Sequence, residues 1–243
     1  MIIKVFFTIL IMSLSLFGED SITLTLPDIT QPDKLVGTLE MMLLFTIIAM
    51  APSMVFMMTS FTRIVIIFSI LKQALGLQAT PPATVMSALA LLLTFFIMKP
   101  MAIESYENGI QPYVEKKIDY KVALEKSIEP FKGFMLKNTR EKDLKLFLDI
   151  RGQTLPENVE TKDIDFFTLA PAFIISELYT AFTIGLLLFV PFLIIDIVVS
   201  SILMSLGFMM LPPTMVALPI KILFFVLVDG WFLITKSITE SFV

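Results

Sequence analysis

The chain is 243 residues long, with 56% hydrophobic residues, 16% charged residues and a formal net charge of −4. It contains neither cysteine nor histidine, which excludes disulfides, thiolate nucleophiles, histidine general bases and the common zinc ligand sets. The charge content lies below the roughly 25% of soluble domains and includes no basic excess, so the composition predicts a membrane protein without catalytic equipment and without a nucleic-acid partner.

The first 40 residues are predicted to lie before the membrane-embedded part. Residues 1–18 are typical of a secretory signal peptide, because Lys4 precedes an apolar stretch too short to span a bilayer comfortably. An uncleaved anchor is the alternative. Residues 19–40 are polar and contain several prolines and aspartates, which indicates a short extracytoplasmic lead.

Residues 41–101 predict a first kinked helical hairpin. Its first arm, residues 41–71, is long enough to cross a bilayer of about 30 Å and should bend at Pro52, which has no amide donor. The polar stretch around Arg63 lies well inside this arm. Since lipid penalises buried charge, we expect Arg63 to face protein or water.

The reversal of this hairpin is marked by residues that stop helices. Gly76 is a good helix stop, and the double proline at 81–82 cannot continue a helix. The nearby cations predict a cytoplasmic reversal. The returning arm is expected to run from residue 84 to residue 98 and to end at Pro100.

Residues 102–167 differ from the rest because they hold most of the charged residues of the chain. Apolar residues recur among them at roughly helical intervals, which predicts a small, soluble, helical domain. Long loops are poor topology signals, so its placement outside the cytoplasm rests on the signal peptide and the number of hairpins.

Residues 168–243 predict a second kinked hairpin. One long apolar run spans residues 166–206, and a second spans residues 213–235. Gly207 and the double proline at 212–213 separate the two runs. The predicted fold class is therefore an all-α membrane protein, with two long kinked helical hairpins flanking a small helical extracytoplasmic domain.

Five ionisable residues lie within or beside these apolar runs. Each costs roughly 2.5–3.5 kcal/mol at a bilayer centre on insertion scales, so each should have a partner or water. They form either packing pairs between helices and subunits, which we favour, or a proton or ion relay. Glu177 and Asp196 lie about 28 Å apart on one straight helix and cannot form a dyad there. The five are Arg63, Glu177, Asp196, Lys221 and Asp229.

The turn between the last two runs is unusually apolar and contains Phe208, Met209 and Met210. Methionine side chains are flexible, and several copies of such a turn around an axis can form a hydrophobic seal that closes a pore by dewetting. Ordinary packing of a helix turn is the alternative, and composition alone favours it. No phosphate loop, Rossmann glycine motif or nucleophile elbow is present, so no cofactor is predicted.

Both hairpins carry several distinctive short motifs. In chain order they are Met58-Thr59-Ser60-Phe61-Thr62-Arg63, Gln73-Ala74-Leu75-Gly76, Thr80-Pro81-Pro82, Leu93-Thr94-Phe95-Phe96-Ile97-Met98, Pro171-Ala172-Phe173-Ile174-Ile175-Ser176-Glu177-Leu178, Pro191-Phe192-Leu193-Ile194-Ile195-Asp196, Met209-Met210-Leu211-Pro212-Pro213, Leu218-Pro219-Ile220-Lys221 and Leu227-Val228-Asp229-Gly230-Trp231. Together they resemble the FliP/SctR family of type III secretion export-gate proteins over residues 41–101 and 168–235, with the flagellar branch favoured over the virulence branch.

This resemblance implies a pore-forming core subunit of the flagellar export gate in the bacterial inner membrane, at the flagellar basal body. Such proteins assemble as about five copies with FliQ-like and FliR-like subunits and other export-apparatus proteins, and they conduct unfolded flagellar subunits. The resemblance also implies a gasket role for Phe208, Met209 and Met210, although relatives often have a third Met at position 208. A proton- or cation-conducting subunit using Glu177, Asp196 and Asp229 is the alternative function.

Overall fold

The fold is taken from a computed structural model that describes residues 39, 41–46, 48–50, 56–77, 80–153, 164–208 and 210–242. The predicted signal peptide, nearly all of the predicted lead and the expected bend at Pro52 lie outside these residues. The chain divides into two compact units, residues 1–50 and 51–243. The first contains the apolar helix Met41–Met50.

The second unit is built from helices, and the described residues contain no β-strand, which confirms the predicted all-α class. The elements are α1 Phe61–Ala74, α2 Ala83–Ser105, a π-helical turn Tyr106–Ile110, α3 Gln111–Val114, α4 Tyr120–Lys137, α5 Glu141–Ile150, α6 Phe166–Ser205, α7 Pro213–Leu227 and α8 Gly230–Glu240.

Two continuous helical stretches in the described residues are long and apolar enough to cross a membrane, namely Ala83–Val114 and Phe166–Ser205. The pair Pro213–Leu227 and Gly230–Glu240 makes a third candidate if its two bent helices form one span. At 40 residues, α6 is about 60 Å long, twice the thickness of a hydrocarbon core of about 30 Å. These helices agree with the predicted membrane class.

Glycine ends the first long helix of each hairpin. Gly76 and Gly207 have φ values of +74° and +77°, a conformation that favours glycine because it has no Cβ. The amide after each glycine reaches back into the last helical turn: Leu77 donates to the Lys72 carbonyl at 3.1 Å, and Phe208 donates to the Leu203 carbonyl at 3.0 Å. The predicted helix stop at Gly76 is confirmed.

The expected helix end at Pro100 is wrong, because α2 continues through this proline and leads into the π-helical turn. Packing against α4 stabilises the extension. The Ser105 hydroxyl donates to the Ser127 carbonyl at 2.8 Å. A Cβ on Gly109 would lie 2.8 Å from the Ser127 backbone nitrogen, so only glycine allows this close approach. Consequently α2 crosses the predicted domain boundary at residues 101–102.

The apolar run predicted over residues 213–235 is divided between two helices, because α7 and α8 meet at a bend of 65°. Asp229 sits in the bend with a φ of 50°, in the left-handed region that aspartate tolerates better than most residues. Gly230 follows, and a Cβ there would lie 2.2 Å from the Phe225 ring. The bend therefore depends on these two residue types, which the apolar pattern did not reveal.

The core of the second unit lies where α1 packs along α6. Ile64, Ile67 and Phe68 of α1 are buried, as are Ala172 and Phe173 of α6.

The approach is tightest at Gly185 of α6. A Cβ added there would lie 2.4 Å from Ile70 Cδ1 and 3.2 Å from Ile70 Cβ. Small residues are the usual means by which two membrane helices approach closely.

We therefore predict that Gly185→Ala separates α1 from α6 and destabilises the chain by about 1–3 kcal/mol, the usual cost of overpacking. The measurement is the midpoint of thermal unfolding in mild detergent. Adding Ile70→Ala removes two of the three clashing atoms, so the double variant should lose less stability than the sum of the two single variants. Strict additivity would contradict the proposed contact.

Candidate functional site

Arg63 of α1 and Glu177 of α6 form a bidentate ion pair in the core. Arg63 Nε donates to Glu177 Oε2 at 2.8 Å, and Nη2 donates to Oε1. The side chains are 3% and 0% exposed. Parallel guanidinium–carboxylate bonds are the strongest ion-pair geometry in proteins, and they neutralise two charges that neither lipid nor an apolar core tolerates.

Arg63 also reaches two other segments. Its Nη1 donates to the Ser241 carbonyl at 2.8 Å and to the Ser241 hydroxyl at 2.9 Å. The guanidinium lies 3.7 Å from the centre of the Phe242 ring, and Nη2 reaches Asn138 Oδ1 at 3.5 Å. One side chain thus connects α1, α6, the end of α4 and the turn that follows α8.

A neighbouring polar cluster escaped the sequence analysis. The Ser176 hydroxyl donates to Asp143 Oδ2 at 2.7 Å and accepts a hydrogen bond from the Arg140 amide at 3.0 Å. Arg140 also pairs with Asp143 at 2.6 Å and stacks 3.6 Å above the Tyr179 ring. The charged residues of α5 belong to the segment that the sequence predicts to be a soluble domain. No sequence pattern therefore connects them to α6.

Asp196 and Lys221 form the second ion pair, between α6 and α7, at 2.5 Å. Lys221 is 5% exposed, and its Nζ also donates to the Ala74 carbonyl at 2.9 Å. That carbonyl belongs to the last turn of α1, where the helix presents partial negative charge and unpaired acceptors. Lys221 therefore joins three helices at one point.

Asp229, the fifth predicted residue, is not brought to either pair. It is exposed at the bend between α7 and α8, and it forms no ion pair with any residue that the structure describes. Its side chain does not cap α8. Of the five residues, four thus form two separate pairs and one stands apart.

The predicted gasket residues lie on the turn between α6 and α7. Phe208 is 53% exposed and Met210 is 98% exposed. Met209 lies outside the described residues. Contiguous exposed apolar side chains are typical of surfaces that contact lipid or another protein.

In chemical terms the site is a set of structural ion pairs and an apolar turn. Among the described residues, no group of three potential metal ligands is found. The fold and the site define an all-α membrane protein whose long apolar helices are joined by buried ion pairs.

Comparison with known proteins gives the family. The model of the FliP family matches residues 44–238, about four fifths of the chain. The chain therefore belongs to the FliP family, which confirms the resemblance seen in the motifs.

Three relatives illustrate the similarity, and each is called flagellar biosynthetic protein FliP. The protein of Bacillus subtilis (strain 168) is 50% identical over 88% of this chain and 96% of its own length. That of Pectobacterium carotovorum subsp. carotovorum is 44% identical over 93% and 90%. That of Aquifex aeolicus (strain VF5) is 42% identical over 86% and 87%.

The buried pair predicts a large effect when only one partner is removed. Arg63→Met leaves the Glu177 carboxylate buried without a counter-ion and should cost about 3–5 kcal/mol, whereas replacing both residues by Met should recover most of the loss. Thermal unfolding in detergent measures both effects. Arg151→Met is the matched control, because its pair with Asp165 is 43% and 48% exposed and should contribute at most about 1 kcal/mol. Equal losses for Arg63→Met and Arg151→Met would contradict a structural role for the buried pair.

Proposed function

We propose that this chain is a pore-forming core subunit of the flagellar type III protein export gate, which conducts unfolded flagellar subunits across the inner membrane. Membership of the FliP family and the flagellar names of the relatives support the flagellar branch over the virulence branch. The proposal places the chain at the basal body as a multi-pass protein, with residues 102–167 on the periplasmic side.

The observation that carries the proposal is the uncovered apolar turn between α6 and α7. Met210 is almost fully exposed, and the next residue, Leu211, is 48% exposed. Contiguous exposed apolar side chains of this kind gain free energy when other apolar groups cover them, and such patches mark interaction surfaces. In a ring of copies the turns meet around an axis, where flexible methionines close the channel by excluding water and yield to a passing chain.

The helix surfaces support an assembled state. In the most apolar stretch of 18 residues of Phe166–Ser205, only 11% of the residues are buried within the chain. In the corresponding stretch of Ala83–Val114 the share is 22%. The remainder needs cover from lipid and from other subunits. We propose about five copies of this chain with FliQ-like and FliR-like subunits and other export-apparatus proteins.

A proton- or cation-conducting subunit is the second candidate, with Glu177, Asp196 and Asp229 as carriers. Its support is weaker, because Glu177 and Asp196 each bond to a cation of the same chain. A carboxylate that bonds to a cation on a neighbouring helix of the same chain has the geometry of a packing pair. We therefore assign the first two carboxylates to packing and assembly.

Serine at positions 209 and 210 tests the gasket. Met209→Ser/Met210→Ser should admit water to the closed turn, so membranes should leak ions while export continues. Ion flux is measured in energised cells or in proteoliposomes of the purified complex, and export as secreted flagellin. Met57→Ser is the control. Met57 is an exposed methionine too, at 50%, but it lies just before α1 and not on the turn between α6 and α7. Membranes that stay tight with both methionines replaced would eliminate the gasket.

Neutralising single carboxylates separates the two candidate functions. Glu177→Gln weakens a buried pair and should reduce the amount of assembled complex, whereas Asp229→Asn changes an exposed group and should leave assembly and export within twofold of the parent. Assembly is measured by co-purification with partner subunits. If Glu177→Gln or Asp229→Asn assembled normally and abolished ion flux, the conducting role would be favoured.

A further inference from the structure

A cavity of about 250 Å³ lies between α1 and α2, close to the reversal of the first hairpin. Val65 and Phe68 of α1 and Met86 of α2 form its apolar wall. This volume is below the 300–1,000 Å³ of pockets that enclose a drug-sized molecule, so it suits a small polar group.

Lys72 lines the cavity and, among the described lining residues, is the one with a charged side chain. Its ammonium forms no ion pair or side-chain hydrogen bond with any described residue. The sequence explains why, since residues 41–103 contain no aspartate or glutamate. The hairpin therefore carries a cation without a local counter-ion.

Helix capping does not account for this lysine. A lysine in the last turn of a helix often bonds to the final carbonyl groups. In α1 those carbonyls already have donors. The Leu71 carbonyl accepts from the Leu75 amide at 3.0 Å, that of Lys72 from the Leu77 amide at 3.1 Å, that of Gln73 from the Gly76 amide at 3.0 Å and that of Ala74 from Lys221 Nζ at 2.9 Å. The Lys72 ammonium remains available to a ligand.

The rest of the polar lining consists of further hydrogen-bond donors. The hydroxyls of Ser69 and Ser87 line the cavity and make no hydrogen bond to a described residue. Ala83, the first residue of α2, lines it as well, and its amide lacks an intrahelical acceptor. An ammonium, two hydroxyls and the positive end of α2 together match an acceptor-rich monoanion such as a phosphate diester.

We propose that this cavity binds the phosphate of an anionic phospholipid. The surroundings favour a lipid over a free ion, because four of the seven lining side chains are apolar and α2 is part of a candidate span. From Ser87, one helical row continues to Leu91 and then to Phe95, which is 64% exposed and can contact an acyl chain. Basic pockets between membrane helices are known to hold such headgroups.

Native mass spectrometry of the full chain in mild detergent tests this proposal, with phosphatidylglycerol or phosphatidylcholine added in titrated amounts. The chain should retain phosphatidylglycerol in preference to phosphatidylcholine. Lys72→Gln should lower retention of phosphatidylglycerol about fivefold, the effect of one juxtamembrane cation. Lys99→Gln is the matched control, because Lys99 is an exposed cation of the same hairpin, about 18 Å along α2 from Ser87. The Lys99→Gln variant should retain phosphatidylglycerol within twofold of the parent.

A second variant and two further measurements test the proposal even if Lys72→Gln folds poorly. Lys72→Arg preserves the charge and should keep at least half of the binding, so equal loss in the Arg and Gln variants would contradict electrostatic recognition. Displacement of the lipid by inorganic phosphate at equal concentration would indicate a free-anion site and overturn the lipid assignment. Retention by the isolated chain but not by the assembled complex would assign the cavity to a neighbouring subunit and also overturn the proposal.

Discussion

Neutralisation of charge inside apolar helices is the constraint on which the rest of this structure depends. An isolated charge in the core would cost several kcal/mol, so each buried charge must meet its partner at one register of the helices. Arg63 and Glu177 lie 114 positions apart in the chain, yet they bond through two parallel hydrogen bonds. Apolar ridges alone allow neighbouring registers of similar energy, whereas this pair is satisfied in only one. The same arginine holds the turn that follows α8 against α1 through Ser241.

The two ion pairs divide α6 into parts with different surroundings. Residues 178–195, between Glu177 and Asp196, carry no charge and span about 28 Å, close to the thickness of a hydrocarbon core. The first pair joins α6 to α1 and the segments after α4 and α8, and the second joins it to α7 and the end of α1. The helix α6 is therefore joined to neighbouring helices at two positions along its length. Its apolar sides are left for lipid or other subunits.

The sequence predicts more of the framework than of the details, for reasons that particular residues make clear. Hydropathy and helix stops such as Gly76 and Gly207 locate the hairpins, because these signals are local. The continuation of α2 through Pro100 depends on Ser105 and Gly109 meeting Ser127, a contact between distant residues that no local pattern encodes. Likewise, the need for charge pairs is evident from the five ionisable residues, but their pairing follows only from helix packing. The bend at Asp229 was missed because hydropathy is continuous across it.

The position of the second pair explains how the apolar turn can be both anchored and adaptable. Asp196 lies nine residues before the end of α6, about 14 Å from it, so the pair with Lys221 closes the hairpin near its base. Residues 197–220, between the two partners of this pair, carry no charged side chain. Within them, Gly207 followed by prolines ends one helix and starts the next. Phe208 and Met210 thus lie at a fixed distance from the second ion pair, while their side chains remain uncovered. A fixed base and an uncovered apolar tip are what the proposed seal needs, because its shape would be set by neighbouring copies.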